Sequence, residues 1–305
     1  MEAMKKILNR LYSKKLLSAI LITMICAAPE NGFGADTAGR VESSWIPQAQ
    51  TSASHSLDSL FSIYQPYLEN ISAYRPMYFL VGTDPEESKF QISLKYRFFS
   101  PGTKLGQKYP WSRRFYLAYT QTSFWDLGSA SQPFKDTSYK PELFFVSPAI
   151  YRGAPHASRL FIQTGFQHES NGRGEEASRS TNYGYIRPIF IFYHEETQLG
   201  FQISPRLQAY VGNDDTTNPD LDRYRGYFDM EIKAGHADGL VLGSRLRLAA
   251  EGESLYLDLT YPLHRLLPVD LDVYLQAQYV NALAESLLDY RDRTRAARLG
   301  ISIVR

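Results

Sequence analysis

The segment KFQISLKYRF, residues 89–98, decides the fold, because apolar and polar side chains alternate along its whole length. A period of two places successive side chains on opposite faces of a β-strand. Similar segments recur from Met77 to the end of the chain, bounded by Gly, Pro, Asn or Asp. One face of each segment is apolar and the other is polar or charged, which is the pattern of a sheet with two different environments.

The number and length of these segments separate a membrane barrel from a soluble sandwich. Many are long enough to cross a bilayer at a tilt, and their number is even, as closed bacterial barrels require. Aromatic pairs near strand ends, such as Phe98 with Phe99 and Phe124 with Trp125, suit interfacial girdles. We therefore predict an all-β fold, a twelve-stranded antiparallel transmembrane β-barrel over residues 76–305. The predicted strands are 77–83, 88–99, 113–125, 138–150, 158–170, 182–193, 198–212, 224–235, 240–249, 254–261, 269–280 and 289–304.

The amino-terminal residues indicate export of the chain. Basic residues up to Lys15 precede an unbroken apolar run from Leu16 to Ala28, which is typical of a secretory signal peptide. We assign residues 1–28 to this signal, with cleavage between 28 and 35, and residues 29–75 to a leader segment. The only cysteine, Cys26, lies in the signal, so the exported chain would have no disulfide. With 33 Lys and Arg against 32 Asp and Glu, the composition gives no reason to expect nucleic acid as a partner.

Candidate catalytic residues lie where the fifth predicted strand ends, in the sequence HESNGRGEEASRSTN at residues 168–182. Alternation places His168 and Ser170 on the same face as Phe166, toward lipid. At this spacing the imidazole can accept the serine proton. Asn182 opens the returning strand, where its side-chain oxygen could fix the histidine tautomer. The alternative is a polar hairpin at the membrane edge without chemistry.

The same stretch resembles the active-site segment of the bacterial outer membrane phospholipase A family. That family has a His-x-Ser-Asn-Gly-Arg motif, then Ser-Arg-Ser and an Asn at the same spacing. Further landmarks occur in the family's order at 119–125, 133–134, 212–213, 218–220 and 285–290, so the resemblance covers most of residues 77–303. It implies a calcium-dependent enzyme that hydrolyses sn-1 and sn-2 acyl esters of phospholipids and lysophospholipids. Ser170 would be the nucleophile, His168 the general base and Asn182 the orienting residue.

The resemblance also implies a Ca²⁺ site at a homodimer interface in the outer membrane, with the active site toward the outer leaflet. The Arg173 carbonyl and the Ser178 hydroxyl match family ligands. A ligand from the partner subunit falls at Gln132, where the family has serine; a backbone carbonyl ligand would survive that change. Gln121 matches a polar residue on the family's dimer face.

The sequence alone leaves open which acidic residue would bind calcium. Asp214 and Asp215 compete for the place of the family's aspartate, because this loop is one residue longer, and we favour Asp215. Glu175 stands where the family usually has aspartate. A solvated acidic loop without a metal is the alternative.

Two readings from other classes compete with the enzyme: a passive outer-membrane barrel, such as a channel or an adhesin, and a soluble secreted lipid-binding barrel. A channel requires a hollow lumen, whereas inward residues of both charge signs could fill a narrow lumen with a hydrogen-bonded network. The predicted inward charges are Lys95, Arg97, Arg245, Arg247, Asp229, Glu231, Asp270 and Asp272.

Overall fold

The computed structural model describes residues 70–153, 158–268 and 271–305. The predicted signal peptide and almost all of the predicted leader lie outside these residues, so their boundaries stay predictions. Within the described ranges, no helix is long and apolar enough to cross a membrane.

The described residues form fourteen strands, of which twelve are long. In chain order they are β1 (Ile71–Ala73), β2 (Met77–Gly82), β3 (Ser88–Arg97), β4 (Phe115–Trp125), β5 (Phe134–Val146), β6 (Tyr151–Gly153), β7 (Ser158–Ser170), β8 (Ser180–His194), β9 (Leu199–Tyr210), β10 (Phe228–His236), β11 (Val241–Ala249), β12 (Gly252–Pro262), β13 (Tyr274–Leu283) and β14 (Arg293–Val304). Two short helices, α1 (Lys104–Lys108) and α2 (Leu221–Arg225), lie in connections. Single turns of 3-10 helix occur at Pro85–Glu87, Pro110–Arg114, Glu175–Ala177 and Leu263–Arg265.

The long strands close into a barrel. Each pairs antiparallel with the next long strand in the chain, and β14 pairs with β2 to complete the ring. The three-residue strands β1 and β6 pair with β3 and β7 on the same edges as β2 and β5, further along each strand. The predicted twelve-stranded antiparallel barrel is therefore confirmed. Residues 71–73, which the prediction placed in the leader, join the sheet.

The alternation separates an apolar outer face from a polar inner one. On β3, Ile92 and Leu94 are 48% and 44% exposed, whereas Ser93 between them is fully buried. Near the end of the barrel that carries the candidate site, Phe90, Trp125 and Phe134 lie within ring-to-ring contact of one another. This aromatic cluster is the interfacial girdle expected of a membrane barrel.

Ion pairs fill part of the lumen, as predicted. Asp229 pairs with Arg245 at 2.7 Å, and Glu231 pairs with Arg187 at 2.7 Å. Lys95 instead lies over the ring of Tyr116.

The two aspartates predicted on the inner face of β13 are not found there. Asp270 lies outside the described residues, and Asp272 is exposed before the strand begins. The Val273 N–H donates to the Leu271 carbonyl, and this tight turn delays the strand until Tyr274. The alternating pattern therefore extends into the connection before β13, and the prediction of a strand was wrong for residues 271–273.

The connection between β13 and β14 folds over one end of the lumen. Leu287 and Ala284 are buried against Leu221 of α2 in a small apolar cluster. The N–H groups of Leu287 and Leu288 donate to one carboxylate oxygen of buried Asp136. This end of the barrel also carries the candidate active site.

Candidate active site

His168 and Ser170 lie on the outer face of β7, beside lipid-facing residues. Both are half-buried, and Phe166 on the same face is 45% exposed. In the ladder with β8, His168 stands opposite Asn182 and Ser170 opposite Ser180. The sheet thus brings the three predicted catalytic residues to one patch of the outer surface.

A hydrogen-bonded chain orients the imidazole. Asn182 Nδ2 donates to the Gly212 carbonyl at 2.8 Å, and Asn182 Oδ1 lies 2.8 Å from His168 Nδ1. A carbonyl can only accept, so the amide nitrogen must face Gly212 and the amide oxygen must face the histidine. His168 therefore carries its proton on Nδ1, which leaves Nε2 free to accept a proton from a nucleophile.

Ser170 is on the same face, but its hydroxyl makes no hydrogen bond to any residue within the described ranges. Nucleophile–base hydrogen bonds are often long in free enzymes and shorten when substrate binds. The structure therefore shows His168 and Asn182 in contact, with Ser170 on the same face of the strand and without a hydrogen bond from its hydroxyl.

The residue between them, Glu169, points into the lumen and is almost completely buried. Its carboxylate pairs with Arg225 of α2 at 2.6 Å and with Lys140 of β5 at 3.7 Å. These contacts hold β7 in place from the lumen side. The alternation indicates the inward direction of Glu169, but the sequence does not show which cation meets it.

The tip of the β7–β8 hairpin is shaped by Asn171 and Gly172. The Asn171 side chain donates to the Ala177 carbonyl and accepts from the N–H groups of Arg173 and Arg179, which closes the tip. Gly172 has φ +67°, and an added Cβ would lie 2.7 Å from the Tyr139 ring. Only glycine fits this turn without strain.

Two predicted calcium ligands lie in this tip. Neither the Arg173 carbonyl nor the Ser178 hydroxyl hydrogen-bonds within the part of the chain that the structure describes. Gln132, in the β4–β5 connection, has φ +46°, and its carbonyl accepts from Trp125 Nε1 at 2.8 Å. The described residues contain no group of three His, Cys, Asp or Glu placed to hold a metal. A serine hydroxyl and a backbone carbonyl do not belong to these four side-chain types.

The two aspartates in the loop after β9 differ in their hydrogen bonds. Asp214 accepts hydrogen bonds from the side chains of Thr216 and Thr217, and these bonds hold the pKa of its carboxyl at about 2. Asp215 is exposed, and its carboxylate makes no contact within the described ranges. Glu175, the third acidic candidate, is exposed and has φ +54°.

Asn218 fastens that loop to the catalytic hairpin, a role that sequence reasoning missed. Fully buried, it accepts from the Ser180 N–H and donates to the Ser180 carbonyl, both at 3.1 Å. Within the loop, the backbone carbonyl of Asn218 also accepts a hydrogen bond from Asn213 Nδ2 at 2.9 Å. The loop that contains Asp215 is thereby attached to the hairpin that carries Arg173 and Ser178. The sequence signal was the Asn-Pro-Asp landmark at 218–220.

Gln121 lies on the outer face of β4, where a partner could contact it. It accepts from the Tyr119 hydroxyl at 3.0 Å and donates to Ser123 Oγ at 3.2 Å. The predicted dimer face thus carries a short row of polar groups on an otherwise apolar surface.

The sequence profile of the family described as Phospholipase A1 matches residues 59–303. The chain belongs to this family. It is a phospholipase and an integral β-barrel of the bacterial outer membrane. The passive barrel and the soluble barrel are therefore set aside.

Relatives of known sequence agree with this assignment. The chain is similar to Phospholipase A1 of Escherichia coli (strain K12), with 31% identity over 233 residues that cover 72% of this chain and 69% of the relative. Phospholipase A1 of Salmonella typhimurium is 30% identical with the same coverage. The Klebsiella pneumoniae Phospholipase A1 is 28% identical and is covered to 70%.

Solved structures of the phospholipase A1 family have the same fold. Outer membrane phospholipase A from Escherichia coli matches with a TM-score of 0.61 and 26% identity, over 76% of this chain and 97% of that one. The Salmonella typhi outer membrane phospholipase, solved as a dimer with bound calcium, gives 0.61 at 25% identity over 76% and 91%. A third structure, from Escherichia coli, is an active-site mutant in which an asparagine is replaced by alanine.

Proposed function

We propose that this phospholipase is calcium-dependent and uses a Ser170–His168–Asn182 triad to hydrolyse sn-1 and sn-2 acyl esters of phospholipids and lysophospholipids. The observation that carries the proposal is the bond between His168 Nδ1 and Asn182 Oδ1, two residues from a free serine on a lipid-facing surface. The asparagine-to-alanine active-site mutant of the Escherichia coli relative supports an asparagine in this role.

The proposed reaction follows from the tautomer. As Ser170 Oγ attacks the ester carbonyl, Nε2 of His168 accepts the hydroxyl proton, and Asn182 stabilises the resulting imidazolium through Nδ1–H. The imidazolium then gives its proton to the leaving alcohol, which leaves an acyl group on Ser170. Water, deprotonated by His168, releases the fatty acid. A neutral asparagine performs the orienting role without an anion beside lipid.

The residues at the hairpin tip fit Ca²⁺, a hard cation that takes oxygen ligands. Arg173 would offer its carbonyl and Ser178 its hydroxyl, and both are free of protein hydrogen bonds within the described ranges. Asp215 would offer a carboxylate from the loop that Asn218 fastens to this hairpin. When bound, the cation supplies electrostatic stabilisation for the oxyanion that develops on the substrate. The calcium in the Salmonella typhi relative supports this assignment.

We further propose that the active form is a calcium-dependent homodimer. Gln132 lies at the same end of the barrel on an exposed connection, and a carbonyl oxygen that accepts one bond keeps a second lone pair for a cation. The partner subunit's Gln132 would then complete the site, so that calcium binding and pairing support each other. Gln121 would face its own copy across the twofold axis.

The test is fatty-acid release from mixed phospholipid–detergent micelles by the refolded protein, with calcium and with chelator. Ser170→Ala is the diagnostic variant. Ser158→Ala is its matched control, because Ser158 lies on the same strand and the same face at the opposite end. Substrates labelled separately in the sn-1 and sn-2 chains test both positions.

We expect calcium-dependent release from both positions, lost in Ser170→Ala and kept in Ser158→Ala. Equal release by the two variants would overturn the nucleophile assignment. Undiminished release in chelator would overturn calcium dependence.

A further inference from the structure

The lumen of the barrel carries an excess of positive charge. It contains a cavity of about 360 Å³, lined by ten Lys or Arg side chains and only four Asp or Glu. Two more carboxylates, Glu142 and Asp229, lie buried in the wall. Even when these two carboxylates are counted with the side chains that line the cavity, basic groups outnumber acidic ones in this set of described residues.

Two of these arginines are buried and form no ion pair among the described residues. Arg206 and Arg247 are only 4% and 8% exposed, and neither forms an ion pair within the described ranges. Asp229 stands between them in the sheet register, opposite Arg206 on one side and Arg247 on the other. Its carboxylate is already paired with Arg245 at 2.7 Å.

Their remaining contacts are with uncharged groups. Arg206 Nη2 donates to Gln167 Oε1 at 3.4 Å, and its Nε is buried with no acceptor. The guanidinium lies 4.1 Å from the centroid of the Tyr185 ring, a contact that does not neutralise its charge. Arg247 Nη1 reaches two carbonyls, those of Leu283 and Ala284, at 3.4 and 3.5 Å.

Arginine side chains keep their proton in folded proteins. A buried charge without a partner is strongly unfavourable, and lysine or histidine would escape the penalty by deprotonation where arginine cannot. Glu142 and Asp229 are held in ion pairs by Arg75 and Arg245, so the described residues supply no separate counter-ion for Arg206 and Arg247. The cavity has room for it, since one water occupies about 30 Å³ of liquid volume.

We infer that the lumen binds a small inorganic anion, a halide or phosphate, at the wall formed by Arg206 and Arg247. The anion is a structural counter-ion, which accepts hydrogen bonds from the free guanidinium N–H groups and lowers the repulsion among the lumen cations. This site lies inside the barrel, so it is independent of the triad on the outer face.

The first test uses chloride as the probe. The thermal unfolding midpoint of the refolded full-length protein is measured in increasing sodium chloride, with sodium gluconate holding the ionic strength constant. We expect the midpoint to rise with the logarithm of the chloride concentration. Arg206→Met and Arg247→Met should each require at least about tenfold more chloride for the same rise.

Two variants serve as controls. Arg206→Lys keeps a cation and should keep most of the chloride effect, which separates anion binding from a general loss of packing. Arg295→Met changes an exposed, outward arginine of β14 and should behave as wild type. A midpoint that does not respond to chloride, or that responds equally in Arg206→Met, Arg247→Met and Arg295→Met, would overturn the proposal.

The second test is direct. Crystals grown in sodium bromide should give an anomalous peak in the lumen beside Arg206 and Arg247. Bromide found only on the outer surface would show adventitious ions and would also overturn the proposal.

Discussion

The contact between His168 and Asn182 makes a quantitative prediction for Asn182→Ala. In the transition state the imidazole carries a positive charge, and the bond from Nδ1 to Asn182 Oδ1, 2.8 Å long, then joins a cation to an oxygen. Hydrogen bonds to charged groups contribute about 1.5–3 kcal/mol. At 1.36 kcal/mol for each factor of ten, kcat should fall about 10- to 150-fold in the alanine variant. Ser170→Ala should fall much further, on the order of 10⁶-fold, because it removes the nucleophile.

The assay is steady-state hydrolysis of a short-chain phospholipid at saturating calcium, with the folded fraction measured by the heat-dependent shift of the barrel in gel electrophoresis. KM should change little in Asn182→Ala, since the lost bond strengthens only as charge develops. Asn182→Asp is the matched variant: it keeps an oxygen acceptor for His168 and should lose less activity than alanine. A kcat equal to that of wild type in Asn182→Ala would refute the orienting role. If kcat of folded Asn182→Ala fell as far as that of Ser170→Ala, the predicted 10- to 150-fold effect would be refuted.

Substitutions in three further places test the surroundings of the site. Gly172→Ala should lower the urea midpoint of unfolding, because left-handed backbone costs about 1–2 kcal/mol and the new Cβ meets the Tyr139 ring; an unchanged midpoint would contradict this. Asp215→Asn should raise the half-saturating calcium concentration about tenfold, whereas Asp214→Asn should change it little, since the amide oxygen still accepts both bonds from Thr216; the reverse order would exchange the two assignments. Asn218→Ala should destabilise the fold by about 1–3 kcal/mol through unpaired buried groups and should speed proteolysis of residues 211–220; unchanged protection would show that the loop is held otherwise.

The barrel itself was predictable from the sequence because its signal is local. A strand between lipid and a polar lumen must alternate at every residue, so the fifth predicted strand, 158–170, coincides with β7. The same periodicity gave the outward directions of His168 and Ser170, which the structure places on the lipid-facing side.

Strand ends were less predictable because they depend on contacts with distant residues. β5 spans Phe134–Val146, four residues earlier at each end than the predicted 138–150. Pro148 cannot donate a ladder hydrogen bond, which favours an early end. At the other end, Asp136 looks like a loop residue but is buried, where it accepts N–H bonds from the distant residues Leu287 and Leu288.

The support of the site could not be predicted for the same reason. The pairing of Glu169 with Arg225 joins residues 56 positions apart, and Asn218 reaches Ser180 across 38. A periodic pattern states which face a side chain occupies, but it carries no information on which loop folds back to meet it. The motif therefore indicated the candidate site residues, whereas the residues that hold them were visible only in the folded barrel.

The two faces of β7 explain how a barrel with a polar lumen can present chemistry to a membrane. The inward residues Gln167 and Glu169 are almost completely buried in the lumen network, so the strand backbone between them is held rigidly. His168 and Ser170 emerge from that rigid backbone on the opposite face, at the end where polar loops meet the girdle. A phospholipid beside the barrel already has its acyl chains along the apolar outer wall and its ester groups near this level. We therefore expect the ester to reach Ser170 by lateral diffusion along the barrel wall. Such a route needs no passage through the lumen, which leaves the interior free to be filled with charge.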